Sequence, residues 1–180
     1  DELFDLWVTD DNKVMVIGGT NAGQVDQVIA RFNEDGSLDP TFNQTGILIT
    51  GNSYWDIWSS AWIDDEGRIL AAGASSGLEG SQLSVGRYLS DGAADNSFGF
   101  QGTSTLDLDE NEYYLDIDGN ISGMYFLLAV VGDKNYLIAM DDKGDIIYSF
   151  GTNGKVNLDL LQDYEEVPYQ LKTNPADGSV

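Results

Sequence analysis

Short apolar segments alternate with clusters of Asp, Asn, Gly and Ser along the whole chain, and the segments have the length and composition of β-strands. Residues 3–8 predict a first strand, and Asp10-Asp11-Asn12-Lys13 predicts a turn. A compact apolar strand follows over residues 14–17 and stops at Gly18-Gly19. Residues 25–32 and 47–50 supply two more strands, separated by an Asp35-Gly36 turn. The next part of the chain copies this order. Strands are expected at 54–63, 68–73, 83–88 and 103–106, then at 113–117, 125–131, 136–140 and 155–158, and a further one at 167–172. Only residues 158–166 lean towards helix.

Fixed positions recur inside the copies. Gly36, Gly92 and Gly144 are each followed six residues later by Phe42, Phe98 and Phe150, and four residues after that by Gly46, Gly102 and Gly154. The compact strands begin at Val14, Ile69 and Met124, and Val180 stands where a fourth would begin. A repeat of this length, rich in turns and β-formers, points to propeller blades and not to a helical solenoid. The expected fold class is all-β, with three four-stranded blades and the start of a fourth. The whole of 1–180 forms one repeat region, with units at about 1–53, 54–111 and 112–166 and a partial unit at 167–180. A sheet stacked between neighbours is apolar on both faces, and three blades leave two outer faces bare. The strand-like start and the stop inside a unit predict an arc of a larger propeller, or closure by another copy or another chain.

The clearest copy reads Ala30-Arg31-Phe32-Asn33, Asp35-Gly36, Leu38-Asp39-Pro40-Thr41-Phe42 and Gly46. The second keeps Gly86-Arg87-Tyr88, Asp91-Gly92, Asp95 and Ser97-Phe98-Gly99. This pattern resembles the delta-sixty repeat family, a β-propeller-like domain of unknown function from large secreted or surface proteins of bacteria. The resemblance implies a propeller fold and a secreted or cell-surface location. The third copy departs from it, with Ala139 in place of the Arg and Ile147 in place of the Asp. Arg31 with Asp39 and Arg87 with Asp95 therefore read as salt bridges tying a strand to its loop, a structural role.

Composition narrows the chemistry. There are 31 acidic and 8 basic residues among 180, a net charge of −23, which disfavours nucleic acid and anionic membrane surfaces as partners. Absence of Cys and His removes thiol and imidazole catalysis and the usual zinc or copper ligands. The longest apolar run, residues 124–131, falls far short of the roughly 20 residues that span a bilayer, so no membrane insertion is expected. The acid excess reads either as solubility or as divalent-cation binding.

Two sets of residues qualify as candidate sites. Tyr54, Trp55 and Trp58 begin the second unit. Strand alternation places Tyr54, Trp58 and Trp62 on one face and Trp55 on the other, where an aromatic beside Asp56 can stack on a sugar or anchor a peptide, or pack on a neighbouring blade. Asp107, Asp109, Asn111 and Asp118 have the oxygen ligands of a calcium loop, although Glu112 stands where that loop needs Gly; a solvated strand edge is the plainer reading. Calcium is the one cofactor considered. No catalytic motif is visible. The expected role is a non-catalytic recognition or scaffold module that binds a protein or glycan partner, or further blades of its own or another chain. The alternatives are a polysaccharide-acting enzyme using carboxylates at the propeller centre, and a structural spacer in a large adhesin or filament.

Overall fold

In a computed structural model, residues 2–9, 11–21, 25–51, 55–77, 80–106, 108, 112–119, 123–159 and 170–173 are described. They hold twelve strands and no helix. The first four are β1 (Glu2–Val8), β2 (Val14–Asn21), β3 (Val25–Phe32) and β4 (Ile47–Thr50). The second four are β5 (Trp55–Ile63), β6 (Ile69–Gly77), β7 (Gly80–Tyr88) and β8 (Thr103–Leu106). The third four are β9 (Glu112–Gly119), β10 (Tyr125–Val131), β11 (Lys134–Met140) and β12 (Lys155–Asn157). Each quartet is an antiparallel meander in chain order. A single parallel pair, Val25 with Trp55, joins the first two quartets. The first strand of each later quartet packs across the face of the quartet before it, β5 on β1, β2 and β3, and β9 on β5, β6 and β7. The chain is an all-β arc of propeller-type blades, and among the described residues the sheets do not close.

Two apolar layers hold the arc together. Met15, Ile17, Ile29 and Phe42 of the first blade meet Trp58, Ile69, Ala71 and Tyr88 of the second. Leu70, Ala72, Leu83, Val85, Phe98 and Leu106 of the second meet Ile117, Tyr125, Leu127, Ala129, Ile138 and Met140 of the third. The two faces of blade two use alternate residues of the same strands, as the period of two requires. A third cluster, Phe126, Leu128, Ala139 and Leu171, covers the far side of the third blade.

A β-bulge recurs in the first strand of every blade, at Phe4, Ser59 and Leu115. Two residues there oppose one, so the in–out phase reverses across the bulge. This corrects the expectation that Trp58 and Trp62 share a face. Trp58 pairs with Gly73 and faces blade one, whereas Trp62 pairs with Leu70 and packs on Tyr125 of blade three. The residue after each bulge stitches the blades. Asp5 accepts from the Ala61 amide at 3.4 Å, and Asp116 accepts from the Leu171 amide at 2.7 Å and from the Ser60 hydroxyl at 2.6 Å. Residues 170–172, the described part of the strand expected over 167–172, have none assigned. The Leu171 and Thr173 amides donate to the carboxylates of Asp116 and Asp118 instead of to a ladder. Most of the helix-leaning stretch 158–166 lies outside the described residues.

The recurring Gly and Phe belong to neighbouring blades. In each of the three hairpin turns, Asp35-Gly36, Asp91-Gly92 and Lys143-Gly144, the glycine is left-handed, with φ of +82° at Gly36, +87° at Gly92 and +88° at Gly144. A Cβ on Gly92 would lie 2.9 Å from the ring of Phe42, and one on Gly144 would lie 3.0 Å from the ring of Phe98. Phe42 and Phe98 thus fill the space that a side chain on the next blade's turn would take. A Cβ on Gly36 would meet nothing within 4 Å. Both Gly36→Ala and Gly144→Ala carry the left-handed penalty of about 1 kcal/mol. Gly144→Ala must also displace Phe98, which adds about 1–3 kcal/mol of overpacking. Urea unfolding of the two variants should show the larger loss for Gly144→Ala.

Candidate functional site: a polar cleft between the first two blades

The aromatic candidates separate. Trp58 is 1% exposed, among the largest fully buried side chains, and cannot present a stacking face. Its burial follows from the bulge, which turns it into the layer with Met15, Ile17 and Tyr88. Trp55 is exposed at the start of β5, on the face opposite Asp56. Tyr54 lies outside the described residues, as do Asp107, Asp109 and Asn111 of the calcium candidate. Asp118 is buried, and its two oxygens accept from the Gly119 amide at 2.8 Å and the Thr173 amide at 2.9 Å. Those bonds commit it to the backbone. Among the described residues no group of three acidic side chains is placed to hold a metal ion.

The Arg–Asp pairs are real and do more than tie a strand to a loop. Arg87 Nε donates to Asp95 at 2.8 Å, Nη2 to Ser97 at 2.9 Å and Nη1 to the carbonyl of Asp142 at 2.7 Å, while the guanidinium lies over the Phe98 ring at 4.8 Å. Arg31 repeats this with Asp39 at 2.7 Å, Thr41 at 2.9 Å, the carbonyl of Ser90 at 2.5 Å and the Phe42 ring at 5.0 Å. Each guanidinium spans a junction, from its own loop to the glycine turn of the next blade. Planar, five-donor geometry makes this a task for Arg and not Lys. In the third blade Ile147 N still donates to the Ala139 carbonyl at 2.9 Å, so the loop keeps its path. Apolar packing around Phe126 and Phe150, with ring centroids 5.7 Å apart, replaces the ion pair.

The acidic turns are likewise engaged in local structure. A cleft of about 640 Å³ is lined in part by Asp11, Asp64, Asp65 and Glu66. Asp64 accepts from the Glu66 and Arg68 amides at 2.9 Å each and from Arg68 Nε at 2.6 Å. These are turn-forming bonds.

A different cleft, about 400 Å³, opens between the outer strands of blades one and two. Gln27, Thr50 and Gly51 come from β3 and the end of β4. Asp56, Ser75, Ser84, Thr103 and Thr105 come from the facing side of blade two, with Tyr88, Phe100 and Gln101 at its edges. Thr50 Oγ1 lies 3.2 Å from Gln27 Oε1 and 3.5 Å from the Tyr88 hydroxyl. Burial pushes the Tyr88 hydroxyl pKa up, partly offset by the Thr50 contact. Ser75 donates to the buried Asp56. Phe100 is 79% exposed at the rim. At the next junction the positions equivalent to Gln27 and Thr50 are Leu83 and Leu106, both in the apolar layer. The second blade thus has Leu at both places, the third has Asn135 and Leu158, and the first has an amide and a hydroxyl. Sequence reasoning did not single out these residues. The signal was a pair of polar residues at two positions that are both Leu in the second blade.

The comparisons agree with the geometry. A family model described as "Domain of unknown function (DUF5122) beta-propeller" matches residues 9–42 and 67–98. The matched stretches run from the compact strand through the Arg–Asp loop to Phe42 and Phe98, and the third blade, which lacks the pair, lies outside them. No curated protein matches the chain.

Burial raises the pKa of the Asp39 and Asp95 carboxyls, but hydrogen bonds from Lys13 and Thr41 to the first, from Ser97 to the second, and the facing arginines outweigh it and hold both below the usual carboxylate range. A depressed folded pKa contributes stability that is complete above the unfolded value near 4 and is lost as pH falls towards the folded one. Asp95→Asn should therefore lose more stability relative to wild type at pH 6 than at pH 2.5, measured by urea unfolding.

Proposed function

We propose that this chain is a non-catalytic recognition module of a secreted or surface bacterial protein, and that the cleft between its first two blades receives an uncharged, hydroxyl-rich ligand such as a glycan segment. One observation carries the reading. Gln27 and Thr50 replace the Leu pair of the next junction, and they face Ser75, Ser84, Thr103 and Thr105 across a cavity of about 400 Å³. Hydroxyl and amide groups pair well with sugar hydroxyls, and the exposed ring of Phe100 at the rim offers a stacking surface. The net charge of −23 favours neutral ligands over anionic ones. The resemblance to the delta-sixty repeat family supports secretion or surface display.

The enzyme alternative has less support. Glycoside hydrolysis ordinarily uses two carboxylates flanking the bond, and the cleft lining holds one, Asp56. The acids on the first strands, Asp5, Asp116 and Asp118, are engaged in stitching hydrogen bonds.

The test is calorimetric titration with a panel of neutral and acidic oligosaccharides. Neutral ligands should bind, Phe100→Ala should weaken them about tenfold, and Gln27→Leu with Thr50→Leu should abolish binding while the melting temperature holds or rises. Failure of the whole panel, or binding indifferent to all three substitutions, would remove the proposal. Release of reducing sugar would replace it with the enzyme reading.

A further inference from the structure

Two junctions in this arc use the same parts in the same order. The donor blade supplies an arginine, the amide after its phenylalanine, and the phenylalanine ring. The receiving blade supplies its glycine turn, Asp91-Gly92 or Lys143-Gly144. Arg31 Nη1 reaches the Ser90 carbonyl at 2.5 Å and Arg87 Nη1 the Asp142 carbonyl at 2.7 Å. The Asn43 amide reaches the Asp91 carbonyl at 2.7 Å and the Gly99 amide the Lys143 carbonyl at 2.8 Å. Phe42 fills the space beside Gly92, and Phe98 that beside Gly144.

Blade one carries the same receiving turn, and among the described residues nothing packs on it. Gly36 N donates to the Asn33 carbonyl at 2.9 Å, as Gly92 N donates to the Leu89 carbonyl at 2.9 Å, so the turn has its working shape. The positions equivalent to Ser90 and Asp91 are Glu34 and Asp35, and no described residue donates to either carbonyl. A Cβ on Gly36 meets open space. Among the described residues the sheet face beside it is apolar and uncovered. Leu3 is 63% exposed, whereas Trp58, its equivalent in blade two, is 1% exposed; Leu6, Val8 and Ile49 are exposed as well. On β1 and β2 the outward residues Leu6, Val8, Val14 and Val16 correspond to Ala61, Ile63, Ile69 and Ala71, which face blade one across the first junction.

We infer that the free face of the first blade is the receiving half of a third junction, and that its occupant is a propeller blade bearing the arginine–aspartate–aromatic clasp in the spacing of Arg31, Asp39 and Phe42. The acidic side chains of Glu34 and Asp35 complement the incoming guanidinium. A second copy of this chain does not fit the requirement. Its third blade has Ala139 and Ile147 where the clasp should be, and Leu171 already covers part of that face. The inference is independent of what the polar cleft binds.

The experiment adds a copy of residues 54–111, which carries its own Arg87, Asp95 and Phe98, ahead of the full chain. The chain has no cysteine, so Leu6→Cys places one thiol on the bare face. That thiol should label rapidly in the original chain and at least tenfold more slowly in the extended one. Protection should be lost with Gly36→Leu, or with Arg87→Ala and Asp95→Ile in the added copy only. Equal labelling rates in the two chains would overturn the inference, and so would protection that survives those substitutions. A thiol already protected in the original chain by self-association would overturn it in favour of a second copy.

Discussion

One guanidinium per junction, part-buried in Arg31 and fully buried in Arg87, sets the geometry of the arc. Arg87 is 2% exposed, and a charge so placed must be paired and hydrogen-bonded, or burial costs more than the contact returns. Its donors serve Asp95, Ser97, Tyr125 and the Asp142 carbonyl, which belong to two blades. The apolar layers supply most of the attraction between blades but are non-directional. The guanidinium, with fixed donor directions, sets the approach of each glycine turn, and the phenylalanine beneath it requires that the turn's tip be glycine. A blade lacking the arginine needs another arrangement. The third has one, in which Ala139, Ile147 and Phe150 pack with Phe126 and Leu171.

Nearer the first strands, the same problem is met with carboxylates. The bulge exposes a backbone amide of the following blade to the side chain after it, so Asp5 and Asp116 can cap amides that no strand partner satisfies. Blade two has Ser60 at this place, whose hydroxyl lies between the two acids, 3.2 Å from Asp5 and 2.6 Å from Asp116. Part of the acid excess is thus architectural. More of it forms turns, as at Asp35, Asp64 and Asp141, which accept from amides two residues on.

Where three copies repeat, departures from the repeat mark what a blade does beyond stacking. Leu83 and Leu106 show what the position needs for packing alone. Gln27, itself buried, and Thr50 put an amide and a hydroxyl there, and the outer part of the junction becomes a hydroxyl-lined cleft. The cleft lies away from Asp5 and Asp116, includes Asp56 of β5, and is bounded mainly by strands, which suits recognition of a ligand on a preformed surface.

The three blades, their twelve strands and the repeating turns were legible in the sequence, because alternation of apolar residues, glycine turns and a fixed spacing of Gly and Phe are local signals; the strand expected over 167–172 was not found in its described part. So was the pairing of Arg with Asp. The tertiary structure alone decided which blade each part serves. A bulge changes side-chain phase without altering composition, so alternation placed Trp58 and Trp62 together while the fold sends them to opposite junctions. Gly92 and Phe42 stand 50 residues apart and meet only because blades stack. The cleft is formed by residues from β3, β4, β5, β6, β7 and β8, each ordinary in its own segment. Their polarity acquires meaning only where two faces that should be sealed by leucine come together without it.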